Sequence, residues 1–223
     1  MTDQKVSNAI NAALQAFTKY SDTNAVALKP DFEAVFSPDA DFMTKVDLLD
    51  NLFNDNPQVE ELREVFFDLL MINFFSEDVK KLEDDYLETP EWEDIEEQTL
   101  DRGTELLNLL LYLNECSDEG LEPELEDYLK EFLLVDEDEF QDEHRIYEPV
   151  IAHQILVESP VSEVNKIAAT VPDDSEVKEL FYPMITFFQN PEPNEEEKQE
   201  IADNAVNQPF DMAVLEILVS FNN

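Results

Sequence analysis

The sequence predicts an all-α protein, an irregular multi-helix bundle or stacked helical hairpins with about 10–12 helices and no sheet. Three observations carry this expectation. Only two glycines, Gly103 and Gly120, occur in 223 residues, where average usage is about 7%. β-Hairpins and phosphate-cradling loops draw on glycine's access to positive φ, so sheet-rich and nucleotide-binding folds match poorly. Apolar residues recur three and four apart, the helical period, and prolines stand where helices would begin.

Val6, Ile10, Leu14 and Phe17 share one helical face and predict a first helix over about residues 3–20. A loop is expected over 21–29, and Pro30 opens a short helix. Pro38 and Asp39 precede a longer one with Phe42, Val46, Leu49 and Phe53 inward, and Asn54-Asp55-Asn56-Pro57 stops it. The stretch 58–75 reads as one helix. Val59, Leu62, Phe66, Leu69 and Leu70 lie on one side, and Phe67, Met71, Phe74 and Phe75 fill much of the rest, so this helix is expected at the centre. Thr89-Pro90 has the pattern of an N-cap followed by proline, opening a segment that reaches Asn114 through Leu106, Leu110 and Leu113, with Gly103 as a breaking point.

Pro123 opens the next helix, with Leu125, Tyr128, Leu129, Phe132 and Leu133 apolar. Pro149, Pro160 and Pro209 repeat the start signal. Asp173 with Glu176, and Asn194 with Glu197, have capping-box spacing. The segment 160–221 resembles two stacked hairpins, and no fixed-period consensus supports a named solenoid repeat. The chain reads as a single acidic all-helical domain over 1–223, with 148–159 as the place where a sub-boundary would fall.

Charge is the dominant compositional fact: 13 basic against 55 acidic residues, a formal net of −42. Such a balance ordinarily signals disorder, but 43% of residues are apolar and 16 are Phe, enough to build a core. Over half of the net charge falls in residues 76–148. Those carboxylates are interleaved with helical apolar residues rather than hung on a tail. The lone Cys116 excludes an internal disulfide and fits a reducing compartment. The start MTDQKVSNAINAAL reads as helix rather than as a secretion signal, so a cytoplasmic location is expected. Apolar runs at 65–75 and 106–113 fall short of the roughly 20 residues that span a bilayer, and an anionic membrane surface would repel this chain.

The candidate partner-binding residues are Asp84, Asp85, Glu88, Glu91, Trp92, Glu93, Asp94, Glu96 and Glu97, then Glu122, Glu124, Glu126, Asp127, Glu131, Asp136, Glu137, Asp138 and Glu139. Acids three or four apart on a helix repel by roughly 0.2–0.5 kcal/mol per pair, so selection for folding alone would disperse them. Carboxylates at that spacing approximate the phosphate array of a nucleic acid, which the Lys and Arg of a nucleic-acid-binding protein would accept. In charge and helical character the chain resembles DNA-mimic inhibitors, although no family motif is matched and no residue role carries over. The expectation is a non-enzymatic inhibitor that masks the basic surface of a nucleic-acid-binding protein, as anti-defence or regulatory DNA mimics do, without binding nucleic acid or membrane itself. Monomer and homodimer are both compatible with the sequence.

Two other readings compete. An immunity protein, antitoxin or chaperone would sequester one basic protein by shape as well as charge, through a concave face mixing acids with apolar side chains. A halophilic protein of unrelated function would use the acids for hydration.

Trp92, framed by Glu91 and Glu93, could anchor a basic partner through cation-π contact, though tryptophan is more often core. His144 and His153 form no HExxH or ExxH pattern. His144 and Glu148 would share a face only if a helix ran unbroken into Pro149. From Asp136 onward EF-hand spacing fails, since Phe140 falls at a ligand position and Gln141 at the glycine position. There is no GxSxG, Walker or dinucleotide motif, and Cys116 has no nearby histidine in sequence. No catalytic residue, cofactor or metal is therefore assigned.

Overall fold

In a computed structural model, residues 2–36, 40–77, 84–132 and 140–223 are described. Among them are thirteen α-helical segments, one of which spans four residues, leaving twelve longer helices, and no strand. The all-α expectation holds. No helix among the described residues is long and apolar enough to cross a membrane.

Helix α1 (Gln4–Tyr20) starts where the Asp3 carboxylate accepts the backbone N–H groups of Lys5 and Val6, at 2.8 and 3.2 Å. It buries the predicted face, Val6, Ile10, Leu14 and Phe17, together with Ala9, Ala13 and Ala16. Those alanines leave room for a close neighbour, which is the last helix of the chain, α13 (Gln208–Asn222), in the most extensive helix pairing of the fold. The Lys5 ammonium sits 5.6 Å from the centre of the Phe221 ring, so the start of α1 meets the end of α13 and the pair runs antiparallel. One continuous apolar cluster reaches from Val6 to Phe221.

A 3₁₀-helix at Ala25–Leu28 lies inside the expected loop, followed by α2 (Lys29–Val35), with Pro30 in its first turn. Pro38 and Asp39 lie outside the described residues. Helix α3 (Phe42–Asp55) begins at Asp41, whose carboxylate takes the Thr44 backbone N–H at 2.9 Å, and buries Phe42, Val46, Leu49 and Phe53 as predicted. The helix expected over 58–75 is two elements. Pro57–Leu62 is a 3₁₀-helix, and α4 (Arg63–Glu77) follows. α4 buries residues on every side, Val65, Phe66, Phe67, Leu69, Leu70, Met71, Ile72 and Phe75 among them, and touches α1 and α3. Its central position was legible in its lack of a polar face.

Beyond the one-turn α5 (Asp84–Leu87), the segment expected over 90–114 is likewise divided, into α6 (Pro90–Thr99) and α7 (Leu106–Glu119), with Gly103 in the break at φ +82°. The reason is a polar joint shared by α3 and α4. Arg102 grips Asp50 with both terminal guanidinium nitrogens, at 3.0 and 3.1 Å, and Glu64 with Nε at 3.1 Å. Arg63 adds a 2.8 Å bond to Asp50 and pairs with Glu60. The Gly103 N–H donates to Glu64 at 2.8 Å, and Thr104 donates its N–H at 2.9 Å and its hydroxyl to buried Asp68. A Cβ on Gly103 would stand 2.6 Å from the Asp68 Oδ1.

Helix α8 (Leu125–Phe132) follows Pro123, and α9 (Phe140–Ala152) runs through Pro149 instead of starting there. Burial of Tyr147 and Val150 on either side of the proline holds the helix through it. Residues 160–221 pair as expected: α10 (Val161–Ala168) packs on α11 (Phe181–Gln189), α12 (Glu195–Asp203) on α13, and α11 touches α13. The Asn194–Glu197 capping box is present. The Asp173–Glu176 box is not, because the chain turns repeatedly there while Lys178 donates to the Ala168 and Val171 carbonyls.

Gly103→Ala should lower unfolding free energy by about 2–3 kcal/mol, from positive φ and the contact with Asp68. Gly120→Ala, also at positive φ but facing open space, should lose only about 1 kcal/mol. Urea denaturation of both variants measures the difference. Burial raises the Asp68 carboxyl from 3.8 to about 8, so the folded state holds a proton that the unfolded state releases above 3.8. This contribution favours folding at low pH and is lost as pH rises toward 8. Asp68→Asn should therefore gain stability relative to the parent chain between pH 5 and 8, read from paired melting curves.

Candidate functional site

The first acidic stretch is carried by α6. The Thr89 hydroxyl accepts the Trp92 backbone N–H at 3.2 Å, with Pro90 in the first turn, as the sequence indicated. Ile95 and Thr99 are buried and Trp92 is half-buried, making an inner stripe. The Trp92 ring lies 5.4 Å from Phe75 and 6.2 Å from Tyr86, so much of its surface is spent on packing. Glu91, Glu93, Asp94, Glu96 and Glu97 are exposed, as is Glu88 just before the helix. Residues 93, 96 and 97, and 94 and 97, fall three or four apart, so these carboxylates are near neighbours on the helix surface. Among the described residues no cation pairs with them. The hydrogen bond from Gln98 to Asp94, at 2.8 Å, is uncharged on the donor side.

The second stretch is built around the end of α7 and the start of α8. Gly120, at φ +69°, ends α7 in the left-handed conformation that a C-cap requires, and its N–H returns to the Cys116 carbonyl. The chain then reverses toward α8. The Tyr112 hydroxyl fastens that reversal, donating to the Glu124 carbonyl at 3.1 Å and accepting the Glu124 N–H at 3.0 Å. Burial pushes the Tyr112 phenol above its ordinary range, so this hydroxyl stays protonated. Glu115, Glu119, Glu122, Glu124 and Asp127 thereby surround a groove of about 430 Å³, with Tyr112, Cys116 and Leu121 as its apolar part and Lys130 at one side. Lys130 reaches Glu126 at 3.1 Å and Asp127 at 3.0 Å, exposed pairs that offset little of the local negative charge. Glu131 lies on the same helix.

Beneath this groove a chain of hydroxyls ties three helices together. Tyr128 of α8 meets Tyr147 of α9 at 2.8 Å between hydroxyl oxygens, and Tyr147 donates to Glu105 at the start of α7. Burial raises the Tyr147 phenol strongly, which keeps the proton on oxygen and the link intact.

α6 rests on α4 and α5, and α8 on α7 and the 3₁₀-helix Gln154–Glu158, so the two acidic stretches have separate supports. Asp84 and Asp85 open α5, and Asp136, Glu137, Asp138 and Glu139 lie outside the described residues. Acidity also gathers where the sequence did not point. A cleft of about 490 Å³ is lined by Glu61, Asp173, Glu176, Glu179 and Asp211, with Lys178 among them. Its buried Asp211 accepts the backbone N–H groups of Val206 and Asn207, at 2.8 and 2.9 Å, and burial lifts its carboxyl to about 7. These residues come from three distant parts of the chain, so no local signal could have joined them.

The His153 Nδ1 lies 2.8 Å from the Pro149 carbonyl oxygen, and its ring meets the edge of Phe181, the environment of a packed histidine. Residues 144 and 148 lie on unbroken helix, contrary to the expectation drawn from Pro149. Among the described residues no group of three His, Cys, Asp or Glu is placed to hold a metal ion. Compared with protein-family models, with curated proteins and with solved structures, the chain matches none.

Proposed function

We propose that the chain is a non-enzymatic acidic binding protein that masks the basic surface of a nucleic-acid-binding partner by imitating a phosphate array. The observation that carries this reading is the row of carboxylates on α6, Glu91 to Glu97, held on a packed helix and without a paired cation among the described residues. A rigid row of that kind loses stability to self-repulsion and regains it when a cationic surface docks. The field of a −42 chain would speed encounter with such a partner and make the encounter sensitive to salt. Anti-defence or regulatory inhibition of a nucleic-acid-binding protein is the form this activity would take.

The groove at α7 and α8 favours a second reading. Its five carboxylates surround Tyr112, Cys116 and exposed Leu121, the mixture expected of an immunity protein or antitoxin that recognises one basic protein by shape.

Immobilised protein should capture basic proteins from lysate at low salt and release them as ionic strength rises. Duplex DNA at constant salt should release the same proteins if a nucleic-acid site is being masked. The triple variant Glu93→Gln, Glu96→Gln, Glu97→Gln should weaken capture about tenfold, the sum of three exposed charge contacts. A captured protein that holds DNA and this chain at the same time removes the mimic reading. Capture abolished by Leu121→Asp but indifferent to the α6 triple variant transfers the function to the groove.

A further inference from the structure

We propose that the pocket between the start of α3, the end of α4 and α6 is a binding site for an amino-acid-type zwitterion with an apolar side chain. The inference rests on Lys45, not on the basic-partner reading. Lys45 lines this pocket and is only 5% exposed, yet no carboxylate among the described residues comes within ion-pairing distance of its ammonium. Lys5, Lys19 and Arg145 likewise form no ion pair among the described residues, but Lys45 is the most buried of the four. Arg63, Arg102 and Lys198 are all less buried, and each reaches carboxylates. In a chain with 55 acids, partners for a lysine are abundant, yet the Lys45 ammonium, which keeps some contact with water, lacks one among the described residues. A group that brings a carboxylate to Lys45 relieves that deficit.

The remaining walls say what else the ligand carries. Phe42, Met43, Leu70, Phe74 and Ile95 form an apolar lining in a space of about 300 Å³, the scale of one small molecule. Ala40, Asp41, Asn73, Glu91 and Asp94 complete the lining, and the Asn73 Oδ1 accepts the Asp3 backbone N–H at 2.9 Å. The Asp41 carboxylate is engaged by the Thr44 backbone N–H and hydroxyl, whereas the carboxylates of Glu91 and Asp94 have no cation among the described residues. An ammonium on the ligand fits those two. A simple organic anion would be opposed by the field of the whole chain. A zwitterion carries no net charge against that field and can satisfy both ends of the pocket. Lys45 would take the ligand carboxylate, Glu91 and Asp94 its ammonium, and the aromatic and aliphatic wall its side chain.

Titration calorimetry of the full chain with leucine, methionine and phenylalanine tests this. Binding is expected for these zwitterions, with an affinity loss of about tenfold or more when the carboxylate is amidated or the amine acetylated, the scale of one charge-assisted hydrogen bond. Lys45→Gln should abolish binding while the helical circular-dichroism signal is kept. Glu91→Gln with Asp94→Asn, both at exposed positions, should weaken binding without disturbing the fold, and keeps the test valid should Lys45→Gln unfold. The inference is overturned by the absence of binding at millimolar amino acid, by amides that bind as well as the acids, or by Lys45→Gln retaining affinity. Preference for an acetylated, amidated arginine would assign the pocket to a basic partner segment and equally refute it. The α6 triple variant spares Glu91 and Asp94, so amino-acid binding and partner capture fail separately.

Discussion

A chain with a net charge of −42 stays folded only where apolar burial outweighs the repulsion among its own carboxylates. The rest of the architecture follows from that balance. Phenylalanine does much of the work: Phe32, Phe53 and Phe66 meet in one cluster, with ring centres 4.6 to 5.9 Å apart, and Phe181, Phe187 and Phe221 are fully buried elsewhere. Among the described residues, Asp68 and Asp211 are the only buried acids. Both are hydrogen-bonded by backbone N–H groups, and burial raises both carboxyls, which reduces the charge held inside.

With cations so scarce, their placement is informative. Two of the three arginines converge on Asp50, one from the start of α4 and one from the break between α6 and α7. Their fork geometry holds a carboxylate through two bonds at once, which a lysine cannot do. This joint, together with Thr104 on Asp68 and the glycine that lets the two approach, sets the angle at which α6 and α7 leave the centre. The acidic face of α6 and the groove at the end of α7 are therefore fixed relative to α4 by polar contacts, not by a loose linker. Lys45 stands apart as a buried cation that forms no ion pair among the described residues.

The two acidic regions suit different kinds of recognition. An exposed row of carboxylates on one helix offers charge with little shape, suited to a groove lined by Lys and Arg. The α7 and α8 groove offers charge around an apolar centre, where a partner side chain could be desolvated. The cleft at Asp211 adds a third concentration of acid, so the molecule presents several anionic stations rather than a single ridge.

The sequence by itself determined the helical class, the face of α1, the inward residues of α3, the apolar girth of α4, and the starts marked by Thr89-Pro90 and by the Asn194–Glu197 box. Each of these depends on residues within a few positions of one another, where period and cap chemistry operate. It also placed the exposed acids of α6 and α8 correctly on helix surfaces. Tertiary structure alone decided the rest. Pro149 was carried inside a helix because Tyr147 and Val150 are buried beside it, outweighing a local rule. The antiparallel seat of α13 on α1, the joint of Arg102 on Asp50, the cleft joining Glu61 to Asp211, and the isolation of Lys45 unite residues far apart in the chain. Such contacts are set by packing and desolvation, which no local pattern of residue types encodes.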